Sequence, residues 1–153
     1  MKEIKESKRP GVVLIHREWC ESCRTIGRYC RDDIPLIKMS KKFVMISCPN
    51  GEEPQDDTFK MGNGCTFVFL FIDGSYFPRL YFINPDGSVN YDIVSNPNIE
   101  RYQFYYSGPE DIIDAMKRMI KDLKLKKQRR LARQAAKEEL KDVDDSQFQA
   151  EDL

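Results

Sequence analysis

The sequence predicts an α/β domain in which strands alternate with helices, and three stretches carry that prediction. Gly11-Val12-Val13-Leu14-Ile15-His16 is a short apolar run, the pattern of a buried strand. Arg24 to Cys30, following Cys23, can form a helix. Further on, Ile112, Ile113, Met116, Met119, Ile120 and Leu123 recur at helical spacing, giving one face to pack on a sheet.

The remaining elements follow in order. Residues 2–8 read as the end of a helix closed by Pro10-Gly11. Pro35 is expected to end or kink the helix that starts near Arg24. Lys41 to Ser47 reads as the next strand, with Phe43-Val44-Met45-Ile46 buried, and Cys48 to Asn63 as a polar loop. Cys65 to Ile72 is an apolar run too short for a membrane span, which takes about 20 residues. It reads as an extra buried strand, or more sharply as a client-binding or self-association patch. In Tyr76 to Ile83, Pro78 stands at the start of an apolar strand. Pro85-Asp86-Gly87 then turns the chain into a second strand, Val89 to Val94. Ser107-Gly108-Pro109-Glu110 is a capping-box pattern in front of the last helix.

The chemistry concentrates in Trp19-Cys20-Glu21-Ser22-Cys23. A Cys-x-x-Cys pair that opens a helix after a strand is the layout of a thioredoxin-like redox site. The helix N-terminus offers unpaired N–H groups and a positive dipole end, which favour a thiolate. The thiolate, not the thiol, attacks a disulfide. Cys20 at the helix start is the expected nucleophile. Cys23, one turn in, is expected to be buried and to resolve the mixed disulfide. A structural zinc site usually needs a second such pair, and His16, Cys30, Cys48 and Cys65 do not supply one, so no metal is expected. Cys30 is expected in the core, and Cys48 and Cys65 as free thiols or a pair of little consequence.

Further stretches match a family. Ile15-His16-Arg17-Glu18-Trp19-Cys20, Phe43-Val44-Met45-Ile46, Glu52-Glu53-Pro54, Tyr76-Phe77-Pro78-Arg79 and Asn84-Pro85-Asp86-Gly87 resemble the small thioredoxin-like proteins of the endoplasmic reticulum, the group that includes the anterior-gradient proteins. The resemblance spans roughly residues 11–120. It implies a thioredoxin fold, with a mixed central sheet and helices on both faces. It also implies a cis Phe77–Pro78 bond facing the cysteines, and a substrate groove of Trp19, Phe77 and Pro78. The implied activity is thiol–disulfide exchange on client proteins of the secretory pathway, through a reversible Cys20–Cys23 disulfide. Client thiols or disulfides, with glutathione as a further candidate, are the partners, and no cofactor is called for. A redox-regulated binding module, holdase or adaptor without turnover is the alternative. The chain departs from thioredoxin at Leu14, where thioredoxin carries a buried acid. Its end, Ala150-Glu151-Asp152-Leu153, matches a Lys-Asp-Glu-Leu-like retrieval signal poorly.

Three ionisable side chains lie close enough in sequence to tune the site. Protonated His16 would favour the thiolate. Glu18 is placed to accept a proton in place of the missing acid. Glu21 beside Cys20 opposes the thiolate while the helix dipole favours it.

Composition bounds the rest. The 153 residues carry 25 basic and 25 acidic side chains, so no global field favours nucleic acid or membrane. Apolar residues make up 41% and charged residues 33%, fitting a globular domain with a solvated segment. The boundary is expected after Leu123: residues 1–123 form the thioredoxin-like domain, and 124–153 a charged helical extension and acidic tail. The five cysteines are too few and too uneven for a disulfide framework. Met1-Lys2-Glu3-Ile4-Lys5-Glu6 lacks the apolar core of a leader, so residence in the endoplasmic reticulum or secretion requires that a leader was removed.

Overall fold

The apolar run at Gly11–His16 forms the central strand, β1, of a three-stranded sheet. A computed structural model describes residues 1–52 and 76–148, with side chains as far as residue 138. The Glu53-Pro54 part of the family match, Cys65 and the run to Ile72 lie outside the described residues. β1 pairs in parallel with β2 (Val44–Pro49) and antiparallel with β3 (Arg79–Ile83), in the order β2-β1-β3. Gly11 stands opposite Val44 and Ile83, and Ile15 opposite Cys48 and Arg79. Val12, Val13 and Ile15 are all buried, so the strand reads as apolar rather than alternating. Removing each such side chain from water contributes about 1.5–3 kcal/mol before entropy is counted.

Helix α1 (Lys2–Ser7) precedes the sheet and buries Ile4 completely. A Cβ at Gly11 would run into Ile4 Cδ1, so the glycine is what lets Ile4 pack this closely against β1. Helix α2 (Glu21–Arg31) follows β1 and buries Cys23 and Ile26. Pro35 corrects an expectation: it neither ends nor kinks α2. Asp33 caps a separate helix, α3 (Ile34–Ser40), its carboxylate accepting the Leu36 N–H at 2.7 Å. Pro35 sits in the first turn of α3, where its missing N–H costs nothing.

Two strand expectations also change. β2 runs on to Pro49, so buried Cys48 is a strand residue rather than the start of a loop. Within it Val44 is buried but Met45 is half exposed, as alternation requires. After β3, Val89 makes only an isolated bridge to Ile83, and Val89 to Val94 is not a strand. The intervening turn is as expected. Gly87 adopts φ 91°, and its N–H donates to the Asn84 carbonyl at 2.8 Å. Leu80 N–H donates to Phe104 O at 2.9 Å, which ties the segment before the last helix to β3.

The core gathers Ile4, Val13, Ile15, Tyr81, Ile83 and Phe104. Phe82 meets Phe43 and Tyr106 edge-on, with centroids 6.0 and 6.2 Å away. The last helix, α4 (Pro109–Phe148), is 40 residues long. Its entry is capped by Asp111 rather than Glu110: the Ser107 N–H and hydroxyl both donate to Asp111 Oδ2. Ile112, Ala115 and Met116 are buried, whereas residues 124–138 are all exposed. The helix continues to Phe148, well into the stretch expected to be an acidic tail. The chain forms two compact units, one ending at Lys117 and the other starting at Arg118.

Candidate active site

Cys20 is the N-cap of α2, the position where a side-chain acceptor meets an orphan helical N–H. The Cys23 N–H donates to Cys20 Sγ at 3.2 Å. The Cys20 thiol in turn faces the carbonyl of Phe77, 3.7 Å away. Phe77 and Pro78 are joined by a cis peptide bond at the entrance to β3. The site is therefore built where the end of β1, the start of α2 and the entrance to β3 converge. This juxtaposition and the mixed sheet are those of a thioredoxin fold.

The expected groove residues come together. Trp19 is 72% exposed and meets the Phe77 ring edge-on, with centroids 6.0 Å apart. The Arg17 guanidinium lies over the same ring at 4.2 Å from its centroid. Arg17 leaves no mark in the sequence that would single it out, because a cation–π pair across 60 residues has no local pattern.

The two cysteines differ. Both are present as free thiols, and both are buried. Burial, followed by the hydrogen bond with Cys20, pushes the Cys23 thiol up to about 11. The Arg17 backbone opposes this, less strongly. Cys30 is half-buried rather than in the core, and burial followed by the Asp33 charge raises its pKa.

Of the tuning candidates, Glu21 is drawn to its own helix. Arg24 holds it at 2.7 Å and Arg28 at 3.1 Å, and these hydrogen bonds keep its carboxyl below the usual range. His16 Nε2 shares a 2.8 Å hydrogen bond with the Ser47 hydroxyl across the parallel pair. His16 and Glu18 line the same cleft as Cys23. Asn50 holds the loop between β1 and α2. Its side-chain oxygen accepts the Glu18 N–H at 2.9 Å, and its own N–H donates to His16 O at 3.1 Å. Asn50 adopts φ 45°, a left-handed conformation that asparagine tolerates. The sequence signal was present in Pro49-Asn50-Gly51, but it marks a turn and does not reveal the distant partner.

Below the sheet end, Arg79 is buried with its guanidinium over the rings of Tyr76, Tyr81 and Phe104, at 4.7, 5.7 and 6.0 Å. Among the described residues no cluster of His, Cys, Asp and Glu is placed to hold a metal ion.

Comparison with known proteins agrees with the family resemblance. No protein-family model matches the chain. The chain is similar to the anterior gradient protein 2 homolog of Mus musculus, with 25% identity over 120 residues. The Homo sapiens homolog is 22% identical over the same length. Each match takes in 78% of this chain and 61% of the relative, so the chain spans under two thirds of the relatives' length. Among solved structures, a disulphide isomerase from Xylella fastidiosa superposes with TM-score 0.42 and 19% identity, over 59% of this chain and 66% of that one. The reduced C-terminal domain of DsbD from Neisseria meningitidis gives TM-score 0.44 and 18% identity, over 76% and 87% of the two chains. No helix among the described residues is long and apolar enough to cross a membrane.

Proposed function

We propose that this chain is a thiol–disulfide oxidoreductase acting on client proteins of the secretory pathway. One observation carries the reading: Cys20 Sγ receives the Cys23 N–H at the N-terminus of α2, opposite the Phe77 carbonyl. A donor and a helix N-terminus aimed at one sulfur stabilise negative charge there. The Cys20 thiolate attacks one sulfur of a client disulfide, forming a mixed disulfide and releasing the other client sulfur as thiolate. Cys23 then loses its proton and attacks Cys20 Sγ. The Cys20–Cys23 disulfide forms, the second client thiolate leaves, and two electrons have passed to the client. Run backward, the same steps oxidise a client dithiol. Trp19, Phe77 and Pro78 form the client groove. His16 and Glu18, on the cleft shared with Cys23, are the candidate acceptors for its proton, with Glu21 held aside by Arg24 and Arg28. Residence in the endoplasmic reticulum, or export from it, rests on the resemblance to the anterior-gradient group. Imaging the endogenous protein against a compartment marker tests that part.

The redox reading is tested by oxidising the chain with glutathione disulfide and mapping the products by mass spectrometry. A Cys20–Cys23 link is expected, and an intact fold without it sinks the reading. Cys23→Ser should accumulate mixed disulfides with a model client, and Cys20→Ser should not. The reverse pattern exchanges the two roles.

The raised Cys23 pKa favours a second reading. A resolving thiol that keeps its proton at neutral pH prolongs the mixed disulfide, as a client-holding adaptor requires. Wild-type chain that accumulates mixed disulfide at pH 7 as fully as Cys23→Ser supports the adaptor.

A further inference from the structure

Helix α2 carries Arg24, Gly27, Arg28 and Arg31 at spacings of three, one and three residues, one face of a helix. On most surface helices that pattern belongs to apolar residues that meet a core. Here it borders an open cleft of about 440 Å³, together with Arg17 and Cys23. Gly27 is the odd member. A mid-helix glycine is destabilising relative to alanine, and no packing demand explains it, because a Cβ there would meet nothing within 4 Å. What the glycine leaves is open space between arginines. Glu18 is the only acidic lining residue among those described.

We infer that this cleft binds the carboxylates of acidic peptide segments flanking a client's cysteine, so that the site selects acidic clients. Arg17 links the two surfaces. It stacks on Phe77, whose carbonyl faces the Cys20 thiol, and it also lines the cleft. A client chain leaving Cys20 past Phe77 therefore meets Arg17 first and the α2 arginines after it. Arg24 and Arg28 are engaged by Glu21, but all three side chains in those ion pairs are more than half exposed. Exposed pairs of this kind hold weakly, so a client carboxylate can replace Glu21 at little cost. Guanidinium groups suit the task because their fork donates two parallel N–H bonds to one carboxylate. The inference deepens the proposed exchange reaction and rests on it for the word client; the binding itself does not need turnover.

The test uses the full chain and two matched pairs of peptides. One pair lacks cysteine and carries either glutamates or glutamines, with a dye for anisotropy. The other carries the same flanks around a cysteine held in a disulfide, for exchange rates. The glutamate peptides should bind and exchange roughly tenfold better at low salt, as two or three exposed pairs provide. That preference should largely vanish in about 0.5 M salt, where the screening length is only a few ångströms. Arg31→Gln and Gly27→Leu should each lower the glutamate-to-glutamine ratio, while Arg31→Lys retains most of it. Leucine is a better helix former than glycine, so Gly27→Leu tests the open floor without weakening α2. Equal binding of the two flanks, or a ratio unmoved by Arg31→Gln and Gly27→Leu, overturns the inference. Preferential binding of glutamate peptides without exchange upholds the cleft and sinks the redox reading instead.

Discussion

At the residue scale the two cysteines share a motif but not an environment. Cys20 caps a helix, and Cys23 is pushed up to about 11 by burial and by its neighbour. Resolution of a mixed disulfide should therefore quicken as pH rises from 7 toward 11, and stopped-flow quenching of the intermediate measures this directly. The same shift bears on stability. The folded chain holds the Cys23 proton more tightly than the unfolded chain, whose value is the ordinary 9.0. That stabilisation is complete below about pH 9 and is lost as pH climbs through about 11. Denaturant midpoints for wild type should fall over that window, and Cys23→Ala should flatten the fall. Asn50 offers a second residue-scale prediction. Asn50→Ala removes the Glu18 tether and puts alanine at positive φ, so it should cost about 1–2 kcal/mol and slow client exchange. Asn50→Gly should recover the backbone cost but not the rate. The cysteines were legible because their chemistry lies in local spacing. Asn50 and Arg17 were not, because each acts on a partner brought close only by the fold.

Among the elements, β1 was legible for a definite reason. It is flanked by strands on both edges, with Val12, Val13 and Ile15 buried, so the run from Gly11 to Ile15 is apolar and stands out. Pro35 misled because a proline ends one helix and opens another with equal ease. The deciding signal was Asp33 two residues earlier, a cap whose carboxylate takes the Leu36 N–H. Val89 to Val94 is apolar enough for a strand, but an apolar segment can also be buried without a ladder, as Ile93 and Val94 are. α1 was read correctly as a helix, yet its role emerges only from Gly11, which lets Ile4 close over β1. Gly11→Ala should displace Ile4 and destabilise the chain by about 1–3 kcal/mol, read from thermal or urea midpoints. Pairing it with Ile4→Ala should give a smaller loss than the two single costs added, because both act on one contact.

For the whole molecule, we propose the division of labour read from the fading apolar stripe: chemistry in residues 1–123, and a charged helical extension beyond. A chain ending at Lys124 should fold and exchange disulfides at the full-length rate. Loss of folding would show that the later residues are part of the domain, and loss of exchange alone would make the basic segment a docking element. Residues 124–138 have a further consequence of their own. They are exposed throughout, and each of Lys126, Arg129, Arg130, Arg133 and Lys137 has another of the set three or four residues away. Like charges at those steps repel along a helix, a repulsion that the ion pair of Lys126 with Asp122 at 2.7 Å relieves in part. Without a core behind it, this stretch obeys the helix–coil equilibrium of a peptide rather than the all-or-none transition of a globule. Its circular dichroism should fade gradually on warming, well before the domain melts, and should strengthen when salt is added.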